Sequence, residues 1–224
     1  MESYWEAVQY ANDDCFLTGG FKSPSSQQLL DPFGLVSWPG SVVAAQELSK
    51  HKEIIKGKKV LILCAGVGLE AQAAALFGAK EVLATDIHPT TLAQLKFGVE
   101  QEERIDHSVV ETQVLDLYAR DEQPIPFSDV LIVADVLYNE QLASQVVKRI
   151  VEAWAKNEKL CVLVTDSQRF VPTFVNELNE LMEKVGGPLS EWKEQTLLSF
   201  TGSGVMINED QTYDVKVQKL WIGL

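Results

Sequence analysis

Val60-Leu61-Ile62-Leu63-Cys64-Ala65-Gly66-Val67-Gly68-Leu69-Glu70-Ala71 decides the fold of this 224-residue chain. Its unbroken apolar start reads as a strand buried on both faces, the mark of a parallel sheet covered on each side. Gly66 and Gly68 end that strand, let the chain turn sharply and let a ligand approach the backbone. Ala71, Ala73, Ala74 and Ala75 give the next helix a small face that lies close to the sheet, and Gly78 ends it. Asp86 closes the second apolar run, Leu83-Ala84-Thr85-Asp86. In a doubly wound sheet a carboxylate at that strand end accepts hydrogen bonds from both hydroxyls of a ribose. Gly66-x-Gly68-x-x-Ala71 also fits a dinucleotide fingerprint. Two features argue against a dehydrogenase. Roughly sixty residues precede the glycine loop, where such enzymes usually open with it. None of the tyrosines (4, 10, 118, 138, 213) has a lysine four residues on.

Outward from this stretch, apolar runs alternate with periodic ones. Strands are expected at 60–64, 81–85, 109–114, 130–134 and 159–165, with a helix at 90–100. Leu142, Val146, Val147, Ile150, Val151 and Trp154 fall on one helical face, as do Phe174, Leu178, Leu181 and Val185. Asp166 or Ser167 is the expected N-cap of that last helix, with Pro172 in its first turn. Beyond Gly187-Pro188 the pattern changes to two long strands, 192–201 and 212–223, joined through Gly202-Ser203-Gly204 and read as an antiparallel pair closing the sheet. The expected fold is therefore α/β: a Rossmann-like, mostly parallel sheet with helices on both faces. Residues 1–56 lack the alternation. Turn signals at Ser23-Pro24 and Asp31-Pro32 precede Trp38-Pro39-Gly40-Ser41 and a helix at 42–51. This segment is expected to brace or cover a ligand site, with 57–224 forming the main unit of a single structural domain.

Composition excludes several classes. Nineteen basic against thirty-two acidic side chains leave a net charge of −13, which repels phosphate backbones and anionic lipid. Neither nucleic acid nor a membrane surface is an expected partner, and a monomer is expected. Cys15, Cys64 and Cys161 are far apart and form no CxxC; with His51, His88 and His107 scattered too, no metal site is expected. Met1-Glu2-Ser3-Tyr4-Trp5-Glu6 lacks the basic, apolar opening of a signal peptide, so a reducing cytoplasmic setting is expected.

At this point the chain resembles the seven-strand S-adenosylmethionine-dependent methyltransferases, and within them the family 16 (protein-lysine methyltransferase-like) group. Ala134-Asp135-Val136-Leu137-Tyr138 matches that group's Asp-x-x-Tyr motif after the fourth strand, and Trp38-Pro39-Gly40 matches its tryptophan element before the first. The resemblance implies S-adenosyl-L-methionine as cofactor, S-adenosyl-L-homocysteine as product and a protein lysine as substrate. It implies that Cys64, Ala65, Gly66 and Gly68 line the methionine half and that Asp86 holds the ribose. Asp116 and Leu117 would flank the adenine, and Ala134 and Trp38 would contact the cofactor from opposite sides. The sequence departs from the family pattern at Ile62, usually acidic, at Cys64, usually glycine, and at Leu117, usually aromatic.

Asp135 and Tyr138 are the expected catalytic residues, Asp135 orienting an amine by accepting a hydrogen bond and Tyr138 supplying a ring face or hydroxyl. The competing structural reading makes Asp135 the N-cap of the following helix and Tyr138 a core residue. Since Asn and Asp cap about equally well, Asp135→Asn is expected to change stability little. Two other functions use the same motifs: a small-molecule N- or O-methyltransferase, and a non-catalytic binding module.

Overall fold

The structure is a computed structural model that describes residues 34–167, 171–192, 194–201 and 212–224. The turn signals at 23–32 and the Gly202-Ser203-Gly204 link lie outside the described residues. Neither expected cap residue serves as N-cap of the helix that starts at Val171: Asp166 ends the strand Cys161–Asp166 and accepts from Leu137 N on Oδ2, and Ser167 Oγ donates to Asp135 Oδ1.

The chain opens with α1 (Pro39–Lys50) and a single turn, α2 (Lys52–Ile55). Then follow β1 (Lys59–Leu63), α3 (Leu69–Leu76), β2 (Glu81–Asp86), α4 (Pro89–Gln101) and β3 (Val110–Val114). The second half holds β4 (Val130–Ala134), α5 (Glu140–Lys156), β5 (Cys161–Asp166), α6 (Val171–Lys184), β6 (Glu194–Thr201) and β7 (Thr212–Ile222). Seven strands form one sheet in the order β3-β2-β1-β4-β5-β7-β6. The first five run parallel; β7 is antiparallel to both β5 and β6. The order reverses between β1 and β4, and the carboxyl ends of those two strands frame a topological switch point.

The apolar run of β1 is buried because successive side chains face opposite layers. Val60 and Ile62 join the core formed with α1, α3 and α4, through Val43, Leu48, Ala74 and Leu95. Leu61 and Leu63 join the core formed with α5 and α6, through Val146, Ile150, Phe174 and Leu178. Each fully buried Leu, Ile or Val contributes ~1.5–3 kcal/mol of hydrophobic free energy, so the unbroken run commits β1 to the sheet's centre.

Helix α1 starts three residues before the expected 42, at Pro39. Proline suits a first turn, where its missing N–H has no intrahelical partner anyway. Five apolar residues of α1 (Val42, Val43, Ala44, Ala45, Leu48) sit in the first core. Its buried Glu47 accepts from Lys219 Nζ at 3.0 Å and Trp221 Nε1 at 3.3 Å, tying α1 to β7. Burial alone would raise the Glu47 carboxyl; hydrogen bonds from Lys50, Lys219 and Trp221 outweigh it and hold the group below its ordinary range.

Candidate active site

A cavity of about 390 Å³ opens at the switch point. Its walls come from the loop after β1 (Cys64, Ala65, Gly66, Val67), the end of β2 (Asp86, Ile87, His88), the end of β4 (Ala134, Asp135, Val136, Tyr138) and the segment entering α1 (Gly34, Val36, Trp38, Ser41). Eight of the sequence-derived residues are thus brought together: Trp38, Cys64, Ala65, Gly66, Asp86, Ala134, Asp135 and Tyr138. Gly68, Asp116 and Leu117 stand outside the lining, although Asp116 is close enough for its charge to act on Cys64. No described group of His, Cys, Asp and Glu side chains is arranged to hold a metal ion.

The loop after β1 has the tight geometry its glycines predict. Cys64, Gly66 and Gly68 all have left-handed φ angles, 53°, 52° and 79°. A Cβ at Gly68 would stand 2.3 Å from Leu95 Cγ, so glycine lets α4 close over the loop. A non-glycine residue held at such a φ costs about 1–3 kcal/mol, which accounts for the family's usual glycine at Cys64. Burial, followed by the charges of Asp86 and Asp116, pushes the Cys64 thiol far up, so it stays protonated and packs as a small apolar group.

Asp86 is buried and accepts from Gly66 N at 3.1 Å on Oδ2 and from His88 N at 3.0 Å on Oδ1. An ionised carboxylate has about four acceptor positions, so roughly two remain on the cavity side for hydroxyl donors. Left-handed loop and fixed carboxylate together fit the ribose and methionine halves of S-adenosylmethionine.

Asp135 is more deeply engaged than a helix cap. It has a left-handed φ of 52°, tolerated by Asp because its short polar side chain bonds locally. Oδ1 accepts from Ser167 N at 2.6 Å and Ser167 Oγ at 2.7 Å, while Oδ2 accepts from Gly40 N. The Gly40 carbonyl in turn accepts from Thr165 Oγ1 at 2.8 Å. The N-terminus of α1 is therefore clamped to the ends of β4 and β5. Trp38, its N-cap residue, makes no side-chain cap bond, and the tertiary carboxylate satisfies the buried Gly40 N–H of the first turn instead. A Cβ at Gly40 would lie 2.7 Å from the Asp135 carboxyl carbon, so only glycine permits the clamp. Burial pushes the Asp135 carboxyl up, against the lowering effect of the Gly40 and Ser167 bonds.

The structural alternative for this motif is overturned. The N-cap of α5 is Asn139, whose side chain accepts from Leu142 N at 2.8 Å. Tyr138 is no core residue either; it is 59% exposed at the cavity.

Sequence reading missed Ser41, Val36 and Ile87 in the wall, and Glu70 just behind it. The Glu70 carboxylate is 1% exposed, and among the described residues its Oε2 has no hydrogen-bond partner. An acid inside an alanine-rich helix start was the available signal. Burial first, and the Asp135 charge further, raise the Glu70 carboxyl to about 7 from 4.5, its own N–H and Ser41 partly opposing them. Its contribution to stability is complete below pH 4.5 and is lost as pH rises through about 7. The loss is of the order of 3 kcal/mol, at about 1.36 kcal/mol per unit. Glu70→Gln should therefore melt higher than the parent above neutrality, with the gap closing toward pH 4.5. A melting-temperature gap that stays constant with pH would show that Glu70 is not the titrating group.

A seven-stranded sheet with an antiparallel edge pair and a ligand cavity at its switch point defines the Rossmann-like methyltransferase class. Two solved structures share the fold across nearly the whole chain. A putative RNA methyltransferase from Pyrococcus horikoshii superposes with a TM-score of 0.61 at 14% identity, over 96% of this chain and 94% of that one. A ribosomal protein L11 methylase from Lactobacillus delbrueckii gives 0.56 at 16% identity, over 89% of each. Residues 25–184 match the model of the lysine methyltransferase family, and the chain belongs to that family. Among individual relatives, the human electron transfer flavoprotein beta subunit lysine methyltransferase is 29% identical over 113 residues, covering 50% of this chain and 41% of that protein. The zebrafish (Danio rerio) protein of the same name is 37% identical over 79 residues, 35% of this chain and 31% of that one. A protein N-terminal and lysine N-methyltransferase of Neurospora crassa is 28% identical over 131 residues, covering 50% and 46%. The matched part thus spans less than half the length of each of these relatives.

Proposed function

We propose that this protein is an S-adenosylmethionine-dependent methyltransferase that modifies a lysine side chain of a protein. The observation that carries the reading is the convergence of Asp86, Asp135 and Tyr138 on one cavity at the β1/β4 switch point. The exposed mouth residues support a protein substrate: Ile87 and Tyr138, 51% and 59% accessible, offer apolar and aromatic contact to an incoming chain. When bound, S-adenosylmethionine supplies a methyl group on a sulfonium and leaves as S-adenosylhomocysteine.

The chain's own residues must hold and orient. Asp86 would take the ribose hydroxyls, with Gly66, Ala65 and Cys64 at the methionine half, Trp38 and Ala134 on opposite sides, and Asp116 and Leu117 toward the base. The lysine amine must be neutral to attack. Deprotonating it at pH 7 costs roughly 4.6 kcal/mol from a free pKa of about 10.4. A water-poor wall of Trp38, Val36 and Val136 lowers that cost by desolvation. Asp135 has about one acceptor position left on Oδ2, available to orient the amine, and the Tyr138 ring lies against its aliphatic stem. Residues 1–56 would cover the site, with 57–224 as the catalytic unit. Free thiols at Cys64 and Cys161 suit a reducing cytoplasmic setting.

Labelled S-adenosylmethionine incubated with the protein and cell extract, followed by mass spectrometry of labelled bands, should reveal methyl-lysine. Label on a small molecule alone would overturn the choice of substrate. Asp86→Ala should weaken S-adenosylhomocysteine binding by ~1.5–3 kcal/mol, the range for hydrogen bonds to a charged group. Unchanged affinity by calorimetry would remove Asp86 from the site.

A further inference from the structure

The turn that carries Asp135 and Tyr138 is held from the end of the neighbouring strand. Ala134 and Thr165 form the last pair of the parallel ladder between β4 and β5. Beyond that pair, three consecutive residues at the end of β5 reach across to the turn. Thr165 O accepts from Asp135 N at 2.8 Å, and Ser167 donates to Asp135 Oδ1 through both its N–H and its hydroxyl. Between them, Asp166 Oδ2 accepts from Leu137 N at 2.8 Å. Asp166 is 1% exposed and does not line the cavity. A carboxylate buried that deeply is costly, and a charge-assisted bond to a backbone donor offsets the cost. Leu137 lies between β4 and α5, where neither element supplies an acceptor for its N–H, and Asp166 provides one.

We propose that Asp166 is the positioning residue for Tyr138: by fixing the Leu137 amide, it sets where the Tyr138 ring stands at the cavity. Tyr138 sits between two pinned neighbours. Leu137 is fully buried in the second core and held at its N–H by Asp166. Asn139 caps α5 by accepting from Leu142 N. The Tyr138 side chain is 59% exposed, so packing fixes it less than it would a core residue, and its direction follows from the backbone on either side. A displacement of about 1 Å in such a group can cost about 10²-fold in rate. Ser167 and Gly40 thus hold Asp135, while Asp166 serves the tyrosine end of the same motif. This role rests on the methyl-transfer reading above.

Two measurements on the full chain test it. Label transfer from saturating S-adenosylmethionine to protein in cell extract gives the rate, and hydrogen exchange at the Leu137 amide reports the hold on the turn. Asp166→Leu removes the acceptor at similar volume. The rate should fall by about tenfold or more, and the Leu137 amide should exchange about tenfold faster or more. S-adenosylhomocysteine affinity by calorimetry should stay unchanged, because Asp86 and the glycine loop stand at the ends of β2 and β1. Asp166→Asn keeps a carbonyl oxygen for Leu137 N and should recover most of the lost rate. In a Tyr138→Ala background Asp166→Leu should cost no further rate, because both act on one contact. A merely structural aspartate would lower the rate by the same factor in either background. That additive loss, a parental rate or parental amide exchange in Asp166→Leu, or a parallel loss of S-adenosylhomocysteine affinity overturns the proposal. A parental rate in Tyr138→Ala overturns the role of Tyr138 beneath it, and a parent that labels no protein overturns the methyl-transfer reading itself. Should Asp166→Leu fail to fold, Asp166→Ser, polar but too short to reach Leu137 N, takes its place with the same expectations.

Discussion

Asp135→Asn should lose both stability and turnover. An asparagine side chain tolerates the left-handed φ of 52° as well as aspartate does, so the backbone survives. Its single carbonyl oxygen cannot serve both ends of the clamp. If it faces Ser167, the amide NH₂ meets the Gly40 N–H; if it faces Gly40, the NH₂ meets the Ser167 N–H. Either way a buried donor loses its acceptor, at about 1–3 kcal/mol. At roughly 2–4 °C per kcal/mol for a chain of this size, the melting temperature should fall by several degrees. This departs from the expectation that Asn and Asp are interchangeable here, which holds for a helix cap with one acceptor but not for a carboxylate with two occupied oxygens. Turnover should fall by about 10²-fold or more, ~2.7 kcal/mol of transition-state stabilisation, because the α1 entry that carries Trp38 and Ser41 loses its anchor and the amine loses its acceptor. Gly40→Ala should reproduce the defect from the other side, since its Cβ would strike the Asp135 carboxyl. An Asp135→Asn protein with parental melting temperature and turnover would refute both roles.

Arg149→Met is expected to be the most destabilising single change in α5. Arg149 is fully buried, and its guanidinium serves the segment after β3. Nε donates to Leu117 O at 3.1 Å, Nη2 to Asp116 O at 2.8 Å, and Nη1 to Gln123 O at 2.8 Å and Glu152 Oε2 at 3.0 Å. Methionine matches the volume and removes every donor. Three loop carbonyls then face an apolar side chain, and a loss of about 3–5 kcal/mol follows, the range for breaking a buried charged network. Glu152 keeps Ile125 N at 2.7 Å and Lys156, so the damage should concentrate on the loop carrying Asp116 and Leu117. Chemical denaturation should show the stability loss, and ligand binding should weaken in the same variant. Arg149→Lys should recover only part of it, because one ammonium cannot reach the three carbonyls that a planar fork spans. A melting curve for Arg149→Met that overlays the parent would show the network to be dispensable.

The alternation of apolar runs with 3.6-period segments determined the sheet, its parallel core and its antiparallel edge. These follow from side-chain direction along strands and helices, which is local chemistry. The glycine loop with Asp86, and the Asp135-x-x-Tyr138 motif, were equally legible, because each ties residue type to a strand end. Other features depended on which distant segments meet. The Gly40–Asp135 bond joins residues 95 apart, and the Thr165–Gly40 bond joins residues 125 apart. No local pattern in Trp38-Pro39-Gly40-Ser41 announces that its helix is capped by a carboxylate from the turn after β4. Asn139 took the cap of α5 and left Asp135 for this second duty, a choice set by the left-handed turn after β4. The helical face read from 142 to 154 does not include Arg149, and Glu70 stands in the glycine-loop stretch without a role of its own. Their burial was decided only when the β3 loop folded over one and α1 over the other. Periodicity reports which way a side chain points within its own element; tertiary packing alone determines what covers it.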